Sequence, residues 1–331
     1  MDSNFEHLGE SFEHRTDLSA LQESVAAIKA EIGKIIVGQQ KFVDLLIAAV
    51  LADGHVLIEG VPGIAKTLTA KLLARTISTD FNRIQFTPDL MPSDVLGTSV
   101  YNFKTSEFEF KKGPIFSNLV LIDEINRAPA KTQSALFEVM EERQITIEGH
   151  EYEMTPPFLV LATQNPIEQE GTYRLPEAQL DRFLFKIEVT YPSLEEEVHI
   201  LEGFHTRKNS HDISVVQAVL SADALARYRE QVREIHVEQK LMEYIAKIVH
   251  TTRNHQDLYL GASPRASLAI LMTSKAFAAM QGRDFVTPED IAQVVKPTMR
   301  HRIMLSPEKE MEGRVADDIL ELIVSQIEVP R

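Results

Sequence analysis

Short aliphatic runs recur along the chain between longer stretches of helical spacing. They lie at His55–Glu59 (HVLIE), Arg83–Thr87, Leu119–Ile122, Phe158–Ala162 and Phe185–Val189. Their apolar character is continuous rather than alternating, which predicts strands buried on both faces, as in parallel sheets. The apolar spacing from Leu21 to Ile32 predicts a first helix. Lys41 to Leu51 (KFVDLLIAAVL) is nearly all apolar and predicts a second, buried against the sheet. Strands alternating with helices give a three-layer α/β core.

Two hairpins interrupt the alternation. Thr98–Phe103 and Glu107–Lys111 flank a Lys104-Thr105-Ser106 turn, with Tyr101, Phe103, Phe108 and Phe110 alternating with polar residues. Gln144–Glu148 and Glu151–Thr155 flank Gly149-His150. An isolated hairpin is marginal in water, so the aromatic face is expected to be a packing surface. From Tyr191 onward the chain reads as helices only. Ser193 with Glu196 forms a capping-box pattern, and Thr287-Pro288-Glu289-Asp290 opens another helix with Pro in its first turn. Glu238–Arg253 and Pro264–Met280 are further helices. The expected organisation is an N-terminal arm over residues 1–20, an α/β core over 21–190 and a small all-α domain over 191–331, in keeping with the length.

Composition narrows the chemistry. There is no Cys, which removes disulfides, thiolate catalysis and zinc–thiolate sites; the 11 His form no HExxH pattern. The formal charge is −15, and residues 1–190 hold 28 acidic against 17 basic side chains. No Lys- or Arg-rich block supplies the many phosphate contacts that nucleic-acid binding needs. No long apolar run or signal-like N-terminus is present, so neither a membrane span nor export is expected, and the cytoplasm is the default location.

The chemistry concentrates at two strand ends. After His55–Glu59 comes Gly60-Val61-Pro62-Gly63-Ile64-Ala65-Lys66-Thr67, leading into a good helix former, Thr67–Thr76. A strand, a glycine-containing turn and a helix aim backbone N–H groups at an anion. Lys66 then reaches terminal phosphates and the Thr67 hydroxyl can hold Mg2+. The general pattern has Gly where Ala65 stands, and alanine there is expected to take an ordinary negative φ. A Gly-Pro turn before a surface helix is the bland competitor. The second end is Asn118–Glu124, an aliphatic run closing on two carboxylates. Open α/β sheets bind ligands at the carboxyl ends of their strands. Asp123 is placed to bind Mg2+ and Glu124 to polarise an attacking water; a strand ending in an acidic turn is the alternative.

Together these stretches resemble an AAA+ ATPase, and GVPGIAKT, IQFTPDLMPSD, GPIFSNLVLIDEINRAPAKTQSALFEVMEERQIT and ATQNPIEQEGTYRLPEAQLDRFLFK resemble its MoxR family. The resemblance runs from about Ile35 through the helical domain, which it identifies as a lid, and the family's own phosphate loop carries alanine at position 65. It implies that Asn165 orients water and γ-phosphate, that Arg182 is an arginine finger presented to a neighbouring subunit, and that Arg265 is the lid's sensor reaching back to the nucleotide. Ile36, Val37 and Gly38 would line the adenine, and Gly60 to Leu68 the phosphates. For Asn165 an Asn-Pro turn is the alternative, for Arg182 a solvated or salt-bridged arginine beside Asp181, and for Arg265 an ordinary first-turn arginine. Asn126, Arg127, Glu141, Glu142 and Arg143 match the family but carry no role derivable from sequence; a solvated helix face explains the last three equally well.

The expectation is therefore a Mg2+-dependent ATPase acting as a six-membered homo-oligomeric ring that remodels or matures client proteins, which the resemblance implies carry a von Willebrand factor A domain. The acidic tip Glu148–Glu151 of the second hairpin suits a protein partner better than nucleic acid. The rivals are a nucleic-acid-directed or chelatase-like motor on the same fold and a nucleotide-binding module without turnover.

Overall fold

The five aliphatic runs pair as one parallel sheet in the computed structural model, which describes residues 16–165, 173, 175–206 and 213–330. Its strands are β1 (Val56–Glu59), β2 (Phe81–Gln85), β5 (Leu119–Asp123), β8 (Leu159–Gln164) and β9 (Phe185–Glu188). Between them β3 (Gly97–Asn102) pairs with β4 (Glu107–Lys112), and β6 (Gln144–Ile147) with β7 (His150–Glu153), as separate antiparallel hairpins. The sheet order is β2-β5-β8-β1-β9. β2 begins two residues earlier than its aliphatic run suggests. Its partner β5 ends at Asp123, opposite Gln85, so the ladder stops there and Phe86 turns into the core.

Side-chain alternation divides the interior in two. Val56, Ile58, Leu119, Leu121, Leu159, Leu161, Phe185 and Ile187 face one apolar cluster. Leu57, Val120, Ile122, Val160 and Ala162 face the other. The first cluster holds α1 (Ser19–Gly33), α2 (Gln40–Leu51) and α3 (Lys66–Thr76) and continues without a break into the C-terminal helices. The second is closed by α4 (Pro92–Leu96) and α5 (Ala130–Glu142). Truncating a fully enclosed α2 residue such as Leu46 to Ala should cost about 2–5 kcal/mol.

After the short α6 (Glu177–Leu180), α7 (Leu194–Thr206) begins with the expected capping box. Ser193 N donates to Glu196 and Glu196 N to the Ser193 hydroxyl. Helices α8 (Ala222–Glu234), α9 (Gln239–Arg253), α10 (Pro264–Met280), α11 (Pro288–Met299), α12 (Pro307–Met311) and α13 (Ala316–Gln326) complete the lid domain. It is not purely helical: β10 (Leu258–Leu260) and β11 (Met304–Leu305) pair in a short ribbon. Arg302 ties it to the core. Its buried guanidinium binds Asp181 at 2.6 Å and the carbonyls of Asp181, Phe183 and Leu184.

The hairpins correct two expectations. The turn between β6 and β7 is Glu148-Gly149, one residue earlier than expected. Both residues have positive φ, as a two-residue turn matched to strand twist requires. In the first hairpin only the base packs, where Phe110 meets Phe116 and Tyr152. Tyr101 and Phe108 meet each other across the strands, and Phe103 is 89% exposed in the turn, so among the described residues nothing packs on the outer aromatics.

Candidate functional site

The phosphate loop leaves β1 at Glu59 and becomes α3 at Lys66. Gly60 allows its close approach, since a Cβ there would meet Ile64 Cδ1 at 2.6 Å and the Val189 carbonyl at 2.7 Å. Gly63 (φ +87°) and Ala65 (φ +62°) are both left-handed. The negative φ expected of alanine is thus wrong. The loop geometry that favours glycine in the general pattern is kept, and Ala65 bears a strain of about 1–2 kcal/mol. Lys66 Nζ lies back along the loop, donating to the Gly60 carbonyl.

Beside the loop, β5 and β8 deliver Asp123, Glu124, Thr163 and Asn165 at their carboxyl ends. Asp123 is only 5% exposed. Its Oδ1 accepts the hydroxyls of Thr67 (3.3 Å) and Thr163 (3.1 Å), and its Oδ2 accepts Arg83 Nε at 2.6 Å. Glu124 follows in a left-handed conformation (φ +57°), anchored by its N–H to Thr163 Oγ1 at 3.0 Å. Its Oε2 accepts Gln85 Nε2 at 2.8 Å and Arg127 Nη1 at 2.9 Å. Buried Asn165 lies at the end of β8.

These groups open into a cleft of about 960 Å3, the size of a nucleotide site. It gathers Ile36, Val37, Pro62, Gly63, Ile64, Ala65, Lys66, Thr67, Leu68, Asp123, Glu124 and Asn165 from the sequence expectations. Gly60 and Val61 do not line it, and Val61 packs against the first apolar cluster. Gly38 (φ +68°) lines an adjoining cavity with Ile36 and Val37, where a Cβ would collide with Glu196. For Mg2+, Thr67 and Asp123 are hard oxygen donors side by side. Mg2+ commonly takes one or two such protein donors and fills its other positions with water and phosphate, so the donor set fits.

Arg182 and Arg265 are not in the cleft. Arg182 donates to the Phe137 carbonyl and lies 3.6 Å from Glu141, and Arg265 donates to Glu141 at 2.8 Å. Arg265 therefore does not reach back to the chain's own nucleotide site as expected; it joins Arg182 on one carboxylate. Arg182 is ion-paired, as its bland alternative had it, but with Glu141 and not with Asp181, which is taken by Arg302 and by Ser263. Arg265 is exposed and Arg182 is half-buried.

Sequence reading missed the contributions of Arg83, Gln85 and Thr163. Positions 83 and 85 lie two apart on β2, hence on one face, beside the two acids; that spacing is the only signal a sequence carries. It also missed Tyr191, Pro192, Glu197, Ile200, Leu201 and Phe204, which line the far wall from α7 and the segment before it. The signal the sequence carries for them is the apolar Ile200, Leu201 and Phe204 within an acidic helix.

Comparison with known proteins agrees with this geometry. Residues 55–185 match the ATPase family associated with various cellular activities (AAA), and residues 250–323 match the AAA lid domain. The uncharacterized protein YeaC of Bacillus subtilis is 48% identical over 90% of this chain and 92% of its own. Chaperone MoxR1 of Mycobacterium tuberculosis is 43% identical over 91% of this chain and 81% of its own. A crystal structure from Cytophaga hutchinsonii, named for its expected ATPase activity, superposes with a TM-score of 0.86 at 42% identity, covering 94% of this chain and 97% of that one.

Proposed function

Because the chain belongs to the MoxR family of AAA+ ATPases, we propose that it hydrolyses ATP with Mg2+ in a six-membered homo-oligomeric ring and spends that energy remodelling or maturing client proteins. The observation that carries the reading is the convergence of Lys66, Thr67, Asp123, Glu124 and Asn165 on one cleft. Phosphoryl transfer to water needs little covalent chemistry from a protein, only positioning and charge neutralisation. Lys66 exchanges its loop carbonyl for the terminal phosphates. Thr67 and Asp123 would hold the Mg2+, which when bound offsets charge on the β- and γ-phosphates. Glu124 orients the attacking water and accepts its proton, for which its Oε2 must give up Gln85 or Arg127, and Asn165 fixes the water against the γ-phosphate.

Assembly enters through Arg182 and Arg265. Neither lines the chain's own cleft, and this together with their shared exposed carboxylate supports a joint role at a neighbour's nucleotide. The chaperone name of a relative supports protein clients, and the family resemblance points to clients with a von Willebrand factor A domain. The acidic hairpin tip and the exposed aromatics Tyr101, Phe103 and Phe108 offer surfaces for polypeptide.

Two variants test the chemistry. Lys66→Ala should weaken ATP binding, whereas Glu124→Gln should spare binding and lower turnover. Calorimetric affinity and phosphate release measured on both decide it: equal loss of binding in the two would make Glu124 a structural carboxylate. The wild type should also show specific activity rising with its oligomer fraction, and a fully active monomer in mass photometry would exclude the ring.

A further inference from the structure

We propose that Arg83 is a positioning residue, the internal counter-ion of Asp123, which must release that carboxylate before it can serve a divalent cation. This rests on the reading of the cleft as a Mg2+–ATP site. Asp123 is nearly enclosed, and among the described residues two hydroxyls share its Oδ1 while Arg83 alone holds Oδ2, at 2.6 Å. A carboxylate so enclosed is costly without a cation. Arg83 provides one from a position suited to exchange. Its side chain is 55% exposed, it lines the cleft, and it stands on β2, the outermost strand of the sheet, which no further strand flanks among the described residues.

The guanidinium on Oδ2 and a divalent cation compete for the single negative charge of Asp123. Once released, Arg83 still lies in the cleft where phosphate charge collects. Without a metal, Arg83 screens Asp123 from an entering polyphosphate; with one, it yields the carboxylate. The two equilibria are thermodynamically linked, so removing the arginine should strengthen cation binding and weaken metal-free nucleotide binding. A residue that bound only phosphate would lower both nucleotide affinities together.

The test uses the full chain as wild type, Arg83→Gln and Arg83→Lys. Mn2+ binding is followed by electron paramagnetic resonance without nucleotide, and ATP binding by calorimetry in EDTA and in excess Mg2+. Arg83→Gln should bind Mn2+ about tenfold more tightly and ATP in EDTA about tenfold more weakly, in the usual range of coupling between sites. ATP affinity in Mg2+ should change less than about threefold. Arg83→Lys, which keeps the charge, should return both values toward wild type. Unchanged Mn2+ affinity, or equal loss of ATP affinity with and without Mg2+, overturns the counter-ion role while leaving the ATPase reading intact. A wild type that binds no ATP in either condition overturns both.

Discussion

Acid should destabilise this protein through His55, and the size of the effect follows from its surroundings. The side chain is buried where β1 begins, at the opposite end of that strand from the phosphate loop. Nδ1 accepts the Val160 N–H of β8 at 2.9 Å, and Nε2 donates to the Met140 carbonyl of α5 at 3.0 Å. That arrangement fits only the neutral ring, because a second proton would face the Val160 N–H. Burial is the main cause holding the His55 pKa down to about 4, against an ordinary 6.5; the Met140 carbonyl opposes it, and nearby Arg143 adds to it. Above pH 6.5 neither folded nor unfolded chain protonates this residue, and its contribution is fully present. As pH falls from 6.5 to about 4 the unfolded chain takes up a proton that the folded chain refuses, so stability drops by about 1.4 kcal/mol per unit, roughly 3 kcal/mol in all. Buried His301 is shifted in the same direction, so the absolute curve is not specific to His55. The informative quantity is the difference in urea-derived stability between wild type and His55→Gln, measured from pH 7.5 to 4. It should shrink with falling pH, and histidine NMR should show one ring titrating near pH 4. A pH-independent difference, or a His55 midpoint at 6.5, would refute the reasoning.

Arginine fingers contribute on the order of 10³ to 10⁵ in rate, so Arg182→Ala should nearly abolish turnover while sparing ATP binding. Mixed with Lys66→Ala after subunit exchange, it should recover activity that neither variant has alone, and no recovery would place Arg182 outside a neighbour's site. Arg302→Met should lower stability by about 3–5 kcal/mol, because Asp181 and several carbonyls lose their buried donor; an unchanged denaturant midpoint would show that the lid is not held by this pair.

The central sheet was legible because its strands are buried on both faces and therefore spell uninterrupted aliphatic runs. The phosphate loop and the Asp123-Glu124 pair were legible for a related reason: strand ends turn a sequence position into a spatial one, and acids at the carboxyl end of a buried strand have few places to be. Backbone conformation was less so. Alanine's ordinary preference predicted the wrong φ at Ala65, because the local preference of one residue yields to the geometry of the whole loop. Exposure also misled at Tyr101, Phe103 and Phe108, whose alternation signals a strand but does not say whether anything covers it.

The least legible feature was the position of Arg265, and the reason is topological. Its helix α10 packs on α1 and α2, more than two hundred residues earlier, while Ser263 and Arg302 converge on Asp181. No short-range pattern encodes those meetings. They nevertheless fix where the lid stands, and with it the partner of Arg265. Glu141, at the end of α5, is the residue on which the two arginines meet, one from the core and one from the lid. A charged helix face was the economical sequence reading of Glu141-Glu142-Arg143. The fold uses two of these side chains otherwise: Glu141 joins both outward arginines, and Arg143 binds Asp53 at 2.9 Å beside Arg229 of α8. Arg143 also turns, in a left-handed conformation, into the β6–β7 hairpin. Through Glu141 and Arg143 the end of α5 is thus in direct contact with the lid, with Arg182 and with the hairpin.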